Sequence, residues 1–396
     1  RAGVTGARAC RLPSMAFLPF ARPDITEAEI EAVVETMRSG WLTTGPNAAA
    51  FEKEFVEFLG VDAHGVAINS ATAGLHLAFE AIGVRPGTEV LVPTWTFTST
   101  AEAVRYLGGD PVLVDVDPGT LCIDLEDAER KVTDRTIAIA PVHFSGLAVP
   151  DGALTGFAER HGLKVVEDAA HSFPTLNEGK LVGTHGHEAT VYSFYATKTM
   201  TTGEGGMVVT PDADLAARMR TMRLHGINRD VFDRYSSTKP SWHYDVVAPG
   251  YKYNLTDTAA AMGRVQLTRA SEMADRRAAI ASSFDASFAD LPVTLPAHAP
   301  EGSSHAWHLY VMRLNPDAPV SRDRFIELMA EHEVGTSVHF IPLHLQPYWR
   351  DTYHHAPEDF PVATAEFARA VSLPIFSAMT GDDVTQVIDA VRSILG

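Results

Sequence analysis

Lys198 stands in SFYATKTMTTGEGGMVVT, just after a strand-like apolar run and among small and hydroxyl residues. A lysine so placed is either a solvated loop residue or a buried reactive amine. Burial disfavours its charged form, and the lowered pKa supplies the neutral amine that a Schiff base needs. In VVEDAAHS, Asp168 ends an apolar strand, where an open α/β sheet presents its ligands. A carboxylate there caps a helix, ligates a metal or partners a cofactor. One chemistry joins it to the lysine. Pyridoxal phosphate needs a carboxylate against its pyridine nitrogen, so that the protonated ring acts as an electron sink. His171, three residues on, either hydrogen-bonds the ring hydroxyl of such a cofactor or caps the following turn.

Two further segments join them. NSATAGLHLAFEAIG reads as a strand, a small-residue turn and a helix. A helix N-terminus offers free N–H groups and a positive dipole end to phosphate. Ala71 leaves room for the backbone to approach and Thr72 adds a hydroxyl, although Ser and Thr also open many helices as simple caps. In PTWTFTST, Trp95 and Phe97 share a face if the segment is extended. Both then face a site, or both face the core. A phosphate cup, an aromatic, an aspartate and a lysine thus occur in that order, with spacings that suit one sheet edge.

The elements that must position them are short strands alternating with helices. Strand-like runs are GVAIN, EVLV, PVLVDV, IAIAPVHF, LKVVED, ATVYSFY and GGMVVT, all before residue 211. Helical patterns lie at 71–82, 99–107, 125–131 and 151–161. Most strands are apolar on both faces, so the fold class is α/β, with a mostly parallel seven-stranded sheet between helices. After residue 248 the pattern changes. One long helix is expected over 257–290, then a Pro-rich loop at 291–300, a strand in HAWHLYVMRL, a helix at 322–332, a strand in GTSVHF and a last helix at 382–395. The reading is an extension at 1–14, a large domain at 15–255 and a small α+β domain at 256–396.

Charge narrows the function. Asp and Glu number 50 against 32 Lys and Arg, a formal charge of −18, which leaves no basic footprint for nucleic acid or an anionic membrane. Binding of an anionic ligand would need local positive charge, for which Lys252, Arg229 and Arg234 are candidates, or the arginines are solvated surface residues. Two cysteines, Cys10 and Cys122, are too few for a disulfide framework or a cysteine zinc site, and a reducing cytoplasm is expected. No apolar run approaches a membrane span. His185 with His187 and His354 with His355 read as exposed loop histidines, so no metal is expected. No G-x-G-x-x-G turn follows an early strand, which argues against a nicotinamide enzyme.

These segments, with SGWLTTGP, PVHFSG, RLHGI, APGYKYNLTDTAAAMGRVQL, HAWHLYVMRL, SVHFIPLH and SLPIF, make the chain resemble the DegT/DnrJ/StrS family from Phe17 to Gly396. That family comprises sugar-nucleotide aminotransferases of pyridoxal-phosphate fold type I. The resemblance implies a homodimer with sites at the subunit interface. It makes Lys198 the Schiff-base lysine, Asp168 the pyridinium partner and His171 the neighbour of the ring hydroxyl. Ala71, Thr72 and Ser193 become phosphate ligands, Phe97 rather than Trp95 the stacking aromatic, and Asn254 a phosphate contact from the neighbouring subunit. Trp41, Thr43, His225, Lys252, His339 and His344 match positions that line the sugar-nucleotide site. The commoner pattern has asparagine at the place of Lys252 and arginine at that of Asn254. The KYN version resembles the branch that aminates carbon 4. The implied reaction moves an amino group from an amino acid, L-glutamate as in the family, to C4 of a nucleotide-linked 4-keto sugar, with dTDP-4-keto-6-deoxy-D-glucose foremost. The rivals are a UDP-4-keto-pentose and a cyclitol ketone. Relatives that dehydrate sugars carry histidine at the lysine, so Lys198 speaks for a transaminase. Its retention with Asp168 also speaks against a pyridoxal-phosphate-binding sensor without turnover.

Overall fold

The computed structural model describes residues 17–228 and 244–396. The 1–14 extension, Cys10, Arg229 and Arg234 lie outside them. Two helices, α1 (Glu27–Ser39) and α2 (Pro46–Leu59), come first. A capping box between Thr26 and Glu29 closes the start of α1. Pro46 opens α2 where a missing N–H costs nothing.

The main sheet contains β1 (His64–Ile68), β2 (Glu89–Pro93), β3 (Asp110–Val114), β4 (Thr136–Ile139), β5 (Lys164–Asp168), β8 (Ala189–Ser193) and β9 (Gly206–Thr210), with β6 (Leu176–Asn177) and β7 (Lys180–Leu181) forming a separate hairpin. Its order is β1-β9-β8-β5-β4-β2-β3, and β9 alone runs against its neighbours. Helices α3 (Ala71–Ile82), α4 (Ser99–Tyr106), α5 (Leu125–Lys131), α6 (Asp151–His161) and α7 (Ala213–Met222) connect or follow its strands.

Alternation along the strands divides the sheet between two cores. Val66, Ile68, Val191 and Val208 enter the cluster shared with α3, while Ala67, Tyr192, Met207 and Val209 enter the cluster shared with Phe51 and Phe55 of α2. Gly74 lets α3 lie close on the sheet. A Cβ there would come within 2.6 Å of Ile68 and 2.8 Å of Val191. This contact fixes the height of the α3 N-terminus above the strand ends.

The C-terminal part contains α8 (Asp257–Thr268), α9 (Ala270–Phe288), α10 (Arg322–Glu331), α11 (Pro347–Tyr353), α12 (Pro361–Phe367) and α13 (Gly381–Leu395) around a three-stranded sheet, β10 (Val293–Thr294), β11 (Tyr310–Leu314) and β12 (Ala370–Leu373). The single helix expected at 257–290 breaks at Arg269, whose φ of −105° and ψ of −1° leave the helical path. Ala270 and Met273 still pack with α2, whereas Ile280, Phe284 and Phe288 join the second core. The change of core falls within α9. The expected strand in HAWHLYVMRL keeps only its last five residues, because Trp307 has a φ of 49° that a pleat cannot hold. GTSVHF is not a strand, and its ladder reduces to one bridge between Ser337 and Ser372. Among the described residues no helix is long and apolar enough to cross a membrane.

Candidate active site

Asp168 is the last residue of β5. Its amide donates to Pro141 at 2.9 Å, and its carbonyl accepts from His143 at 3.1 Å. These bonds hold the strand end against the segment that follows β4. The buried carboxylate accepts the Thr100 hydroxyl at 2.7 Å and the Ala170 amide at 3.1 Å. Burial pushes the carboxyl above the usual range, against the opposing pull of those bonds and of Lys198 and His143. Thr100 comes from the first turn of α4, inside the PTWTFTST motif, but only the aromatics of that motif drew notice in the sequence. A hydroxyl residue at a buried helix start was the available signal.

Lys198 lies in the turn after β8, where its amide bonds to the Tyr195 carbonyl at 3.0 Å. Its amine is 3.3 Å from Nε2 of His308. Burial lowers the amine to about 7, with Asp168 opposing and the charge of Arg277 adding to the effect. Its surroundings therefore favour the neutral amine far more than solvent would.

His171 accepts the Ser145 amide on Nδ1 at 3.2 Å, so its proton sits on Nε2. Burial, with Lys198 and His339 nearby, holds it well below the usual histidine range, so it is neutral. Its ring lies 4.4 Å from that of His308 and 5.9 Å from Phe340. Phe97 also meets Phe340, at 5.5 Å, and is exposed, whereas Trp95 is wholly buried with Nε1 bonded to the His339 carbonyl. The two aromatics thus diverge, one to the core and one to the surface of the site. His339 stacks on Phe20, bonds Ser372 through Nδ1 at 3.0 Å, and is lowered to about 4 by burial and Lys198.

The α3 start builds a cup. Ser70 caps the Ala73 amide at 3.1 Å and Gly74 bonds back to the Ser70 carbonyl. The amides of Ala71 and Thr72 stand outside those two bonds. Ser193 ends β8 in register with Gly206, and a Cβ on Gly206 would lie 3.1 Å from the Ala71 amide nitrogen. Glycine there keeps the strand pair open against the helix start.

The remaining positions form a third group. Asn254 bridges Ile68 at the end of β1, donates to Thr44 at 2.6 Å and accepts from the Lys252 amine. Thr43 and His225 are exposed, and the His225 amide bonds the Tyr251 carbonyl. Trp41 borders a cavity of about 580 Å³ with Asn47, Asp257 and Arg264, and neither Lys198 nor Asp168 lines it.

His344 is fully buried, with Nδ1 2.8 Å from Thr94 and Nε2 2.9 Å from Thr364. One expectation needs correction. His185 and His187 are not exposed. Their side chains are 3% and 7% accessible, and His187 bonds Asp151 at 2.9 Å. Among the described residues no group of three or more His, Cys, Asp or Glu is arranged to hold a metal.

A half-buried lysine with an amine lowered to about 7, a buried carboxylate and a helix-start cup at one sheet edge are what a pyridoxal-phosphate enzyme requires. Residues 23–392 match the DegT/DnrJ/EryC1/StrS aminotransferase family. The chain belongs to that family. It is 44% identical over 381 residues to the spore coat polysaccharide biosynthesis protein SpsC of Bacillus subtilis, covering 96% of this chain and 97% of that one. Spr1654 of Streptococcus pneumoniae, solved in a PLP form, is 30% identical with a TM-score of 0.89, covering 96% of this chain and 98% of its own. The sugar aminotransferase CalS13 of Micromonospora echinospora is 30% identical with a TM-score of 0.84, covering 95% and 99%.

This chain is a pyridoxal-phosphate transaminase of fold type I. Its residues fit the cofactor. A protonated ring nitrogen would give the buried Asp168 carboxyl a counter-charge, and the open cup beside Gly206 suits a phosphate.

Proposed function

We propose that this enzyme moves an amino group from L-glutamate to C4 of a nucleotide-linked 4-keto sugar, with dTDP-4-keto-6-deoxy-D-glucose as the first substrate to test. The observation that carries the transfer is the Lys198 amine, lowered to about 7 and 3.3 Å from Nε2 of His308. An amine with that pKa both gains and loses a proton near neutrality, as a general acid–base must.

When bound, the cofactor supplies an electron sink that stabilises negative charge at the carbon losing its proton. Lys198 would hold the cofactor covalently at rest and, once displaced by the incoming amino group, carry the proton between carbon atoms. Asp168 would keep the ring nitrogen protonated, braced by Thr100 and Ala170. Neutral His171 would donate from Nε2 to the ring hydroxyl, Phe97 would stack on the ring, and Ala71, Thr72 and Ser193 would hold the phosphate.

The sugar-nucleotide reading rests on the KYN segment. The Lys252 amine and the Asn254 amide bond each other beside the end of β1, and burial lowers the lysine. We read this group, with Trp41, Thr43, His225 and His339, as contacts for an anionic substrate. SpsC, whose name places it in polysaccharide biosynthesis, and CalS13, a sugar aminotransferase, favour that class. Because Trp41 borders a cavity that Lys198 does not line, we further propose a homodimer in which one subunit's 252–254 segment completes the other's site. Leu42, Val246 and Val247, each more than half exposed in the single chain, offer apolar surface for it.

The test is amino-sugar nucleotide formation from dTDP-4-keto-6-deoxy-D-glucose and L-glutamate, followed by mass spectrometry, with the UDP-4-keto-pentose in parallel. Product from the dTDP sugar is expected. Product from neither, with the cofactor still bound, would overturn the substrate and leave the transaminase standing.

A further inference from the structure

His308 is the group closest to the lysine nitrogen that has no task in the scheme above. Its Nε2 lies 3.3 Å from Lys198 Nζ and its ring packs on His171. Its Nδ1 is buried without a partner among the described residues. It reaches that position through Trp307, whose φ of 49° bends the chain just before β11. A non-glycine residue holds such a conformation only where its surroundings enforce it. Arg277 enforces it here. From α9, its Nη1 donates to the carbonyls of Trp307 at 3.2 Å, His308 at 3.4 Å and Ile375 at 2.8 Å. Arg277 is 2% exposed. A buried guanidinium, with three carbonyls as its acceptors, thus fixes the backbone that aims one imidazole.

We propose that His308 is the positioning residue of Lys198, accepting a hydrogen bond from the amine and so directing its lone pair, and that Arg277 holds His308 in place. This rests on Lys198 being the amine that moves protons. A lysine side chain has four rotatable bonds, and its released amine turns freely. One N–H held by a fixed acceptor cuts the staggered directions open to the lone pair from three to two, and transfer tolerates only small errors in such geometry. To accept at Nε2, a neutral His308 must carry its proton on Nδ1, the buried atom without a protein partner. Burial and the positive charges of Lys198 and Arg277 hold it neutral.

The groups facing the amine are Asp168 from β5, His171 from the next turn, His308 before β11, His339 from the 335–340 segment and Arg277 from α9. Among these, His308 alone is within hydrogen-bond distance of Nζ among the bonds seen. An acceptor stabilises an ammonium more than an amine, so its loss lowers the midpoint at which Lys198 gives up its proton. Glutamine carries an acceptor at the level of Nε2, and asparagine does not.

The experiment uses cofactor-free protein. Acetic anhydride labelling of Lys198 is followed against pH by mass spectrometry in wild type, His308→Asn and His308→Gln. The expected result is a midpoint lowered by half a unit or more in His308→Asn and restored in His308→Gln. In the loaded enzyme, the single-turnover rate with L-glutamate should fall by roughly 10–100-fold in His308→Asn and recover in His308→Gln. An unchanged midpoint in His308→Asn, or equal effects of both variants, would overturn the proposal. If His308→Asn does not fold, nitrogen-15 spectra of the wild-type histidines decide. The Nδ1–H tautomer is expected at His308, and the Nε2–H tautomer overturns it. Failure of borohydride to fix the cofactor onto Lys198 in wild type would instead sink the transaminase reading, leaving the cofactor-free titration to judge His308.

Discussion

Glu167 and His143 are wholly enclosed, with Oε1 and Nε2 3.1 Å apart, immediately behind Asp168 on β5. The Val149 amide donates to His143 Nδ1, which leaves the Nε2 proton for Glu167. Thr190 donates to the second carboxylate oxygen. Burial alone would raise Glu167, but the His143 bond, the electrostatic pull of His143 and His187 and the Thr190 bond together win and hold it at about 2. A depressed carboxyl contributes stability above its unfolded value near 4.5 and loses it as pH falls toward the folded value. Glu167→Gln should therefore cost about 3 kcal/mol at pH 7. The gap between the two proteins should close between about pH 4.5 and 2. Urea melts across that range check it, and a gap independent of pH would remove the carboxylate from the account.

Lys198 carries the opposite linkage. Its amine is lowered from 10.5 to about 7, so between those values the unfolded chain binds a proton that the folded chain lacks. The penalty is full below pH 7, shrinks as pH rises, and vanishes above 10.5. Lys198→Met should thus stabilise cofactor-free protein at pH 7 by roughly 2 kcal/mol or more, with the gain fading at alkaline pH. The same variant should show no turnover and no borohydride-fixed cofactor. Equal melting curves for both proteins across pH would mean that the amine is solvated.

Much of this site was legible because its parts are local. The α3, α5 and α6 ranges match the helical patterns, and Asp168 and Lys198 stand where strand ends place them. What was not legible depends on contacts far apart in the chain. His308 sat in a run that alternates like a strand, and nothing nearby announces the turn at Trp307 that Arg277 enforces from α9. The break at Arg269 is invisible in an apolar stripe that continues across it. His344 sits in SVHFIPLH beside His339, yet its neighbours Thr94 and Thr364 come from distant segments that enclose it.

Gly206 tests the phosphate cup through shape alone. A Cβ there would stand 2.6 Å from the Tyr192 carbonyl oxygen and 3.1 Å from the Ala71 amide nitrogen. Both neighbours are backbone, so Gly206→Ala must part β9 from β8 or lift the start of α3. Overpacking of this kind costs about 1–3 kcal/mol. The more telling effect is on the cofactor. Saturating pyridoxal phosphate should raise the melting temperature of the wild type markedly and that of Gly206→Ala much less, because ligand stabilisation follows affinity. Equal shifts in both would place the phosphate elsewhere.

His344 separates a brace from a substrate contact. Both of its nitrogens are taken, its ring stacks on Phe360 at 4.6 Å, and burial lowers it to about 4. His344→Leu removes one bond from each of the Thr94 and Thr364 hydroxyls, of which Thr94 is fully buried, at a cost of about 1–3 kcal/mol at pH 7. As pH falls from 6.5 to about 4, the unfolded wild type takes up a proton that the folded one refuses, so wild-type stability drops. The leucine variant has no such group, and its deficit should narrow over that window. KM for the keto sugar should stay near the wild-type value in whatever fraction remains folded. A raised KM with unchanged stability would return His344 to the substrate site.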